Sequence, residues 1–111
     1  MSIDVTARHV RVGEPVKDYA RARGEKLVAE FPQVEYVHVI LDREKRDAVA
    51  EVFVQGRNHV RVEADGSGED LTAALDVAIE KVERQLRKLR EKITDHRPKL
   101  EAAPPAGEAV P

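Results

Sequence analysis

The densest chemistry in this sequence is a run of cations, "KVERQLRKLREK" at positions 81–92, with six Lys or Arg in twelve residues. Side chains of that kind, repeated along one element, suit a polyanion, and a phosphate backbone is the polyanion that presents charge in a row. Set on a helical wheel at about 100° per residue, the region divides into three sectors. Leu71, Leu75, Ala78, Ile79, Val82, Leu86, Leu89 and Ile93 share one. Asp76, Glu80, Glu83 and Glu91 share a second, and Lys81, Arg84, Lys88 and Lys92 a third. Ion pairs between residues four apart explain part of this, since Glu80–Arg84 and Glu83–Arg87 have the favourable order. They do not explain the basic sector. Arg84, Lys88 and Lys92 are successive like-charged neighbours, which costs an isolated helix roughly 0.2–0.5 kcal/mol per pair. The helix dipole returns some of that near the C-terminus, yet a solvated face could interleave Glu at no cost. The basic row would span ~17 Å at ~1.5 Å per residue, long enough to follow a phosphate backbone. The competing explanation is an ordinary solvated helix face.

Charge is distributed unevenly. Residues 1–80 hold 11 Lys/Arg against 16 Asp/Glu, whereas residues 81–99 hold 8 against 3. An acidic body with one basic element fits a polyanion partner. Base reading is not expected. The strands carry few aromatics, and Phe53 is expected in the core rather than as a stacking platform. The partner this points to is structured RNA, met through its shape and its phosphates. A membrane surface would need the apolar sector free, and the core needs it too.

Catalysis finds no foothold. With no Cys in the chain, thiolate metal sites, disulfides and cysteine nucleophiles are excluded. His9, His38, His59 and His96 lack metal-ligand spacing. Of the two serines, Ser2 is terminal and Ser67 reads better as a helix cap. "GSG" at 66–68 precedes a helix, as phosphate loops do, but it lacks their Lys-Ser/Thr and two acidic residues follow. No enzyme activity, cofactor, metal or small-molecule substrate is expected.

The elements that would hold the basic row follow from periodicity. Residues 3–8 alternate as a strand. "VGEP" starts a helix, with Pro15 tolerated in its first turn, and Val16, Ala20, Leu27 and Phe31 make one stripe that ends at Pro32. Gly24 inside it costs about 1 kcal/mol relative to Ala. Residues 34–42 form a second strand, "DREKRD" a charged turn, and "AVAEVFVQG" and "HVRVEAD" two more strands around a turn at 56–58. Ser67 and Asp70 suggest a capping box for a second helix from about Glu69 to Ile93. The order β-α-β-β-β-α predicts an α+β fold, a four-stranded sheet with two helices on one face. At 111 residues this is one domain, expected over 1–97, with a disordered Pro/Ala-rich tail over 98–111. The N-terminus has no signal-peptide pattern and no apolar run nears the ~20 residues of a membrane span. A soluble cytoplasmic protein with no membrane partner is expected.

These residues resemble a known family. "VTARHVRV…VKDYARARGEKL", "VHVIL" and "EDLTAALDVAIEKVERQLRK", in that element order, are similar to the ribosome hibernation promoting factor family, known also for ribosome-associated inhibitor A, or protein Y. The similarity covers residues 3 to about 95. Its most specific piece is Lys81-x-x-Arg84-Gln85-Leu86-x-Lys88, after Asp70-x-x-Ala73-Ala74-x-Asp76. The resemblance implies a fold like a double-stranded-RNA-binding domain. It implies a non-enzymatic factor whose partner is the small ribosomal subunit and its rRNA, seated between head and body over the tRNA and mRNA sites, silencing idle ribosomes. It further implies that Lys81, Arg84, Lys88 and Lys92 touch rRNA phosphates, with Arg87 of the same run counted among the RNA-binding residues. Lys26 matches the first Lys of the family's "KLEK", and Lys45 a turn position that is often basic. Ala29 stands where a second Lys is common, and Thr72 where Tyr is frequent. The tail resembles neither the acidic tail of protein Y nor the dimerisation domain of the long forms, so the long form's way of pairing ribosomes is not expected. From the residues alone two other readings stand: a general structured-RNA-binding domain, and a homodimer formed through helix 2. The second rests on the 3,4,3,4 spacing of Ile79, Val82, Leu86, Leu89 and Ile93, about two heptads.

Overall fold

The computed structural model describes residues 2–94, with side chains described as far as Leu89. The expected tail at 98–111, His96 and the side chain of Lys92 lie outside these residues. The elements run β1 (Ser2–Ala7), α1 (Glu14–Glu30), β2 (Val34–Glu44), β3 (Asp47–Gly56), β4 (Arg61–Gly68) and α2 (Leu71–Thr94). The strands form one sheet in the order β1-β2-β3-β4. β1 pairs parallel to β2, and the two following pairs are antiparallel. This is the α+β arrangement read from the sequence.

Both helices lie on one face of the sheet, because only one face is apolar. Val37, Val39 and Leu41 of β2 and Ala48, Ala50, Val52 and Val54 of β3 point to that face and are buried. They meet Ala20, Leu27 and Phe31 from α1 and its C-cap, and Leu75, Ile79, Val82 and Leu86 from α2. Fully burying each Val, Leu, Ile or Phe among them contributes ~1.5–3 kcal/mol, so this layer holds the domain together. The helical stripe of the dimer reading is, as far as it is described, spent on the core: Ile79, Val82 and Leu86 are at most 1 % exposed.

Glycines set how closely the helices approach. A Cβ on Gly24 would stand 3.0 Å from Ile3 Cγ2, so the residue that weakens α1 as a helix lets it settle on β1. At Gly66 the demand is sharper. A Cβ there would lie 2.6 Å from the Ala74 carbonyl oxygen and 2.7 Å from the Ala78 nitrogen, so α2 backbone rests directly on β4.

Several expectations need correction. "DREKRD" is not a long turn: β2 and β3 pair up to Glu44 and Asp47, leaving only Lys45 and Arg46 to reverse the chain. Lys45 enters the left-handed region (φ 54°) to do so. β4 continues to Gly68, so Ser67 pairs with Val49 in the sheet and is not the helix cap. Asp70 is: its Oδ1 accepts from the Ala73 N–H (2.8 Å) and the Thr72 hydroxyl (2.8 Å). Those donors, the Ala73 N–H first, hold the Asp70 carboxyl below its ordinary range. Finally, Phe53 is half-buried on the open face of the sheet, not in the core. There it neighbours His38 (ring centroids 6.4 Å), which in turn neighbours Tyr36 (6.2 Å). Alternation places Phe53 opposite Val52 and Val54, and in a two-layer fold that other face has no cover.

Candidate nucleic-acid interface

α2 lies back along β4, as the glycine contacts and two side-chain bonds show. Lys81 Nζ donates to the Asp65 carbonyl oxygen (2.9 Å) and Gln85 Nε2 to the Glu63 carbonyl oxygen (3.3 Å). One helical turn advances ~6 Å for four residues and two strand residues advance ~6.6 Å, so the two spacings match. This side of α2 covers the outer edge of the sheet, where strand carbonyls would otherwise be open for pairing. Lys81 is consequently committed in part: its ammonium also lies 4.0 Å from the Asp65 carboxylate.

The opposite flank of α2 faces α1. Asp76 Oδ1 accepts a hydrogen bond from the Tyr19 hydroxyl at 2.5 Å and lies 3.7 Å from Arg23 Nε. The bond to Asp76, aided by burial, pushes the Tyr19 phenol above its ordinary value, against the opposing pull of Arg23. Farther along, Glu83 pairs with Arg87 at 3.7 Å. Arg87 thus belongs to the acidic flank, turned away from the basic row. The expected Glu80–Arg84 pair does not form among the described residues.

Between the two flanks the outer face of α2 carries Arg84 and Lys88, both exposed. Neither makes an ion pair or a hydrogen bond among the described residues. Lys92, four residues on, is within α2, its side chain outside the described part. Lys26 is exposed on α1, three residues past Arg23 on the flank turned toward α2. Lys45 sits at the tip of the β2–β3 hairpin. Both helices begin at that end of the sheet, whereas Arg84 and Lys88 lie toward the C-terminal end of α2. The structure therefore gathers Lys81, Arg84 and Lys88 into one row, keeps Lys26 on the adjoining helix, and leaves Lys45 at the far end.

A second charged cluster, on the open sheet face, looks inward instead. Asp42 is 5 % exposed. It accepts from the Arg43 N–H (2.7 Å), lies 3.1 Å from His9 Nδ1, and pairs with Arg8 at 3.2 Å. Arg8 also reaches Glu51 at 3.5 Å. The Arg43 N–H leads in lowering the Asp42 carboxyl below its usual range, burial opposes it, and His9 and Arg8 add to the lowering. Its register neighbours are Val49 and then Ser67, neither oriented by the pair, so it knits β1 to β2 and β3 without assembling a nucleophile.

Sequence reasoning did not find Tyr19, Arg23 and Asp76 as a group. The only available signal was that Tyr19 and Arg23 are one turn apart and that Asp76 opens the acidic sector of α2. Gln85 left no signal, since an exposed helical Gln is ordinary until the strand beside it is known.

The molecule thus presents a two-layer α/β domain with a cation row on its helical face. Over residues 3–94 the sequence matches the family described as Sigma 54 modulation protein / S30EA ribosomal protein, and the chain belongs to that family. Among its relatives is the ribosome hibernation promoting factor of Klebsiella oxytoca, 29% identical over 96 residues, covering 86% of this chain and 100% of that protein. That of Pseudomonas putida is 32% identical over 92 residues, covering 83% and 89%. The fold is shared with a ribosomal subunit interface protein from Coxiella burnetii, at 17% identity and TM-score 0.71 over 82% of this chain and 99% of that one. The Thermus thermophilus protein Y N-terminal domain also superimposes, with TM-score 0.71 and 25% identity over 81% and 100%. The resemblance to hibernation factors read from the sequence is borne out at the level of family. Within the described residues, no helix is long and apolar enough to cross a membrane.

Proposed function

We propose that this protein is a ribosome hibernation factor that docks the outer face of α2 on rRNA phosphates of the small subunit. Seated over the tRNA and mRNA sites, it silences idle ribosomes by occupancy, with no chemistry of its own, and so acts in the cytoplasm. The binding unit is the α/β domain of residues 1–97. The observation that carries this reading is the state of Arg84 and Lys88: two exposed cations one turn apart, without a carboxylate partner among the described residues, on a helix where Asp76, Lys81, Glu83 and Arg87 are engaged. The names of the relatives support the ribosome as the partner, and the row supports phosphate as the group met. Arg84 and Lys88 make the main contacts, Lys92 extends them, and Lys26, Lys45, Lys81 and Arg87 contribute less.

Co-sedimentation of the purified protein with small ribosomal subunits, across a salt series and with duplex RNA as competitor, tests this. Saturable binding near one protein per subunit that resists the competitor supports it. Binding that duplex RNA removes would favour a general RNA-binding domain, since phosphate contacts carry no sequence address.

A further inference from the structure

Two helices that share a sheet can slide or splay relative to each other unless something fixes their spacing. Here α1 rests on β1 and β2, and α2 on β3 and β4. Among the described residues, the polar link between the helices is one cluster: the Tyr19 hydroxyl on Asp76 Oδ1 at 2.5 Å, with Arg23 Nε 3.7 Å from the same oxygen. The Arg23 side chain is only 22% exposed, and its Nε is buried without a hydrogen-bond partner. A half-buried guanidinium in that condition depends on the nearby carboxylate for its tolerance. Removing Asp76, or freeing it to turn away, drives Arg23 toward water and carries α1 with it.

The position of this cluster bears on the cation row. Lys26 is three residues beyond Arg23 on the same flank of α1, and Arg84 and Lys88 are eight and twelve residues beyond Asp76. The helices run in the same direction, so all of these cations lie past the link, toward the C-terminal ends. We propose that Tyr19, Arg23 and Asp76 form a positioning strut that fixes α1 against α2 and so sets where Lys26 stands relative to Arg84 and Lys88. None of the three need touch the partner. The strut rests on the function proposed above and assigns a cause to the geometry of its binding face: a rigid, extended anion is met by two helices held at one spacing.

A double-mutant cycle separates positioning from mere stability. Tyr19→Phe removes the hydroxyl and keeps the ring, and circular dichroism checks that the fold persists. Association with small subunits is then measured for Lys26→Ala and Lys88→Ala in the wild-type and Tyr19→Phe backgrounds. If the strut positions Lys26, Lys26→Ala weakens binding about fivefold or more in the wild-type background and hardly at all without the hydroxyl, a coupling of the size seen between interacting sites. Lys88→Ala costs the same in both backgrounds to within about twofold, since its helix keeps its own seat on the sheet. Equal Lys26→Ala effects in both backgrounds overturn the strut. A silent Lys26→Ala beside a costly Lys88→Ala also overturns it, while leaving the α2 interface intact. Silence of both substitutions removes the proposed interface itself, and the strut with it.

Discussion

The flank of α2 toward α1 and its outer face are both charged, and their charges meet different fates. On the flank toward α1, Asp76 is bonded to Tyr19 and Glu83 to Arg87. On the outer face, Arg84 and Lys88 have no partner among the described residues, and like charges follow one another at one-turn spacing. Charges answered from within the molecule belong to the fold. A row left unanswered, at a cost an isolated helix would avoid, is the face proposed to meet the partner.

The largest effect is expected where that contrast is broken outright. Reversing both Arg84→Glu and Lys88→Glu places carboxylates where phosphates should dock, and association with small subunits should fall by about 100-fold or more, with the salt slope reduced by about 2. Stability should change by no more than about 1 kcal/mol, since both positions are exposed and only the dipole interaction is lost. An unfolding midpoint that collapses alongside binding would mean the row is structural after all.

Gly66→Ala attacks both flanks together. Its Cβ would meet α2 backbone at 2.6–2.7 Å, and backbone cannot turn aside, so the helix must lift from β4. A cost of about 1–3 kcal/mol is expected from the overpacking, lowering the thermal midpoint by about 4–8 °C per kcal/mol for a domain this size. Binding should weaken in the same variant without any charge being altered. Normal binding by the Gly66→Ala protein would show that the seat of α2 on β4 does not govern the interface.

These contrasts were legible to different depths in the sequence. The helix-2 sectors could be drawn because a 3.6-residue period assigns every position a direction from the helix axis alone. What each direction faces could not be drawn, because that depends on which strand lies beneath. Lys81 and Lys88 are equivalent on the wheel; only the neighbouring edge strand, with its outward carbonyls at Glu63 and Asp65, makes one of them partly structural. Phe53 failed for a related reason: alternation tells which residues share a face, and it does not tell which face is covered. Ser67 failed because a strand ending in "GSG" was not expected, although Gly66 extends it by letting α2 lie close.

Lys81 is the intermediate case, and it sharpens the comparison. Held by the Asp65 carbonyl at 2.9 Å, it should contribute less to binding than an unpaired neighbour. Lys81→Gln is expected to weaken association by less than about threefold and to leave the salt slope nearly unchanged, whereas Lys88→Gln should reduce that slope by about 1. Equal slopes for the two variants would mean that Lys81 leaves the strand edge when the partner arrives.

The smallest effect concerns Asp42, whose partners are all internal, so its loss should register in stability and leave binding alone. The Arg43 N–H, His9 and Arg8 hold its carboxyl below the ordinary value, while burial pulls the other way. A carboxyl lowered in the folded state favours folding when ionised. That contribution is complete above the unfolded value of about 3.9 and is lost as pH falls through the lower folded value. Asp42→Asn removes it at every pH. Urea unfolding should therefore show wild type ahead of the variant at pH 7, with the gap closing as pH falls below about 4. Asp70, also held low by its cap bonds, titrates in both proteins and cancels from the difference. A gap that stays constant into acid would show that Asp42 acts through shape and not charge, and the division between answered and unanswered charges would lose its clearest buried member.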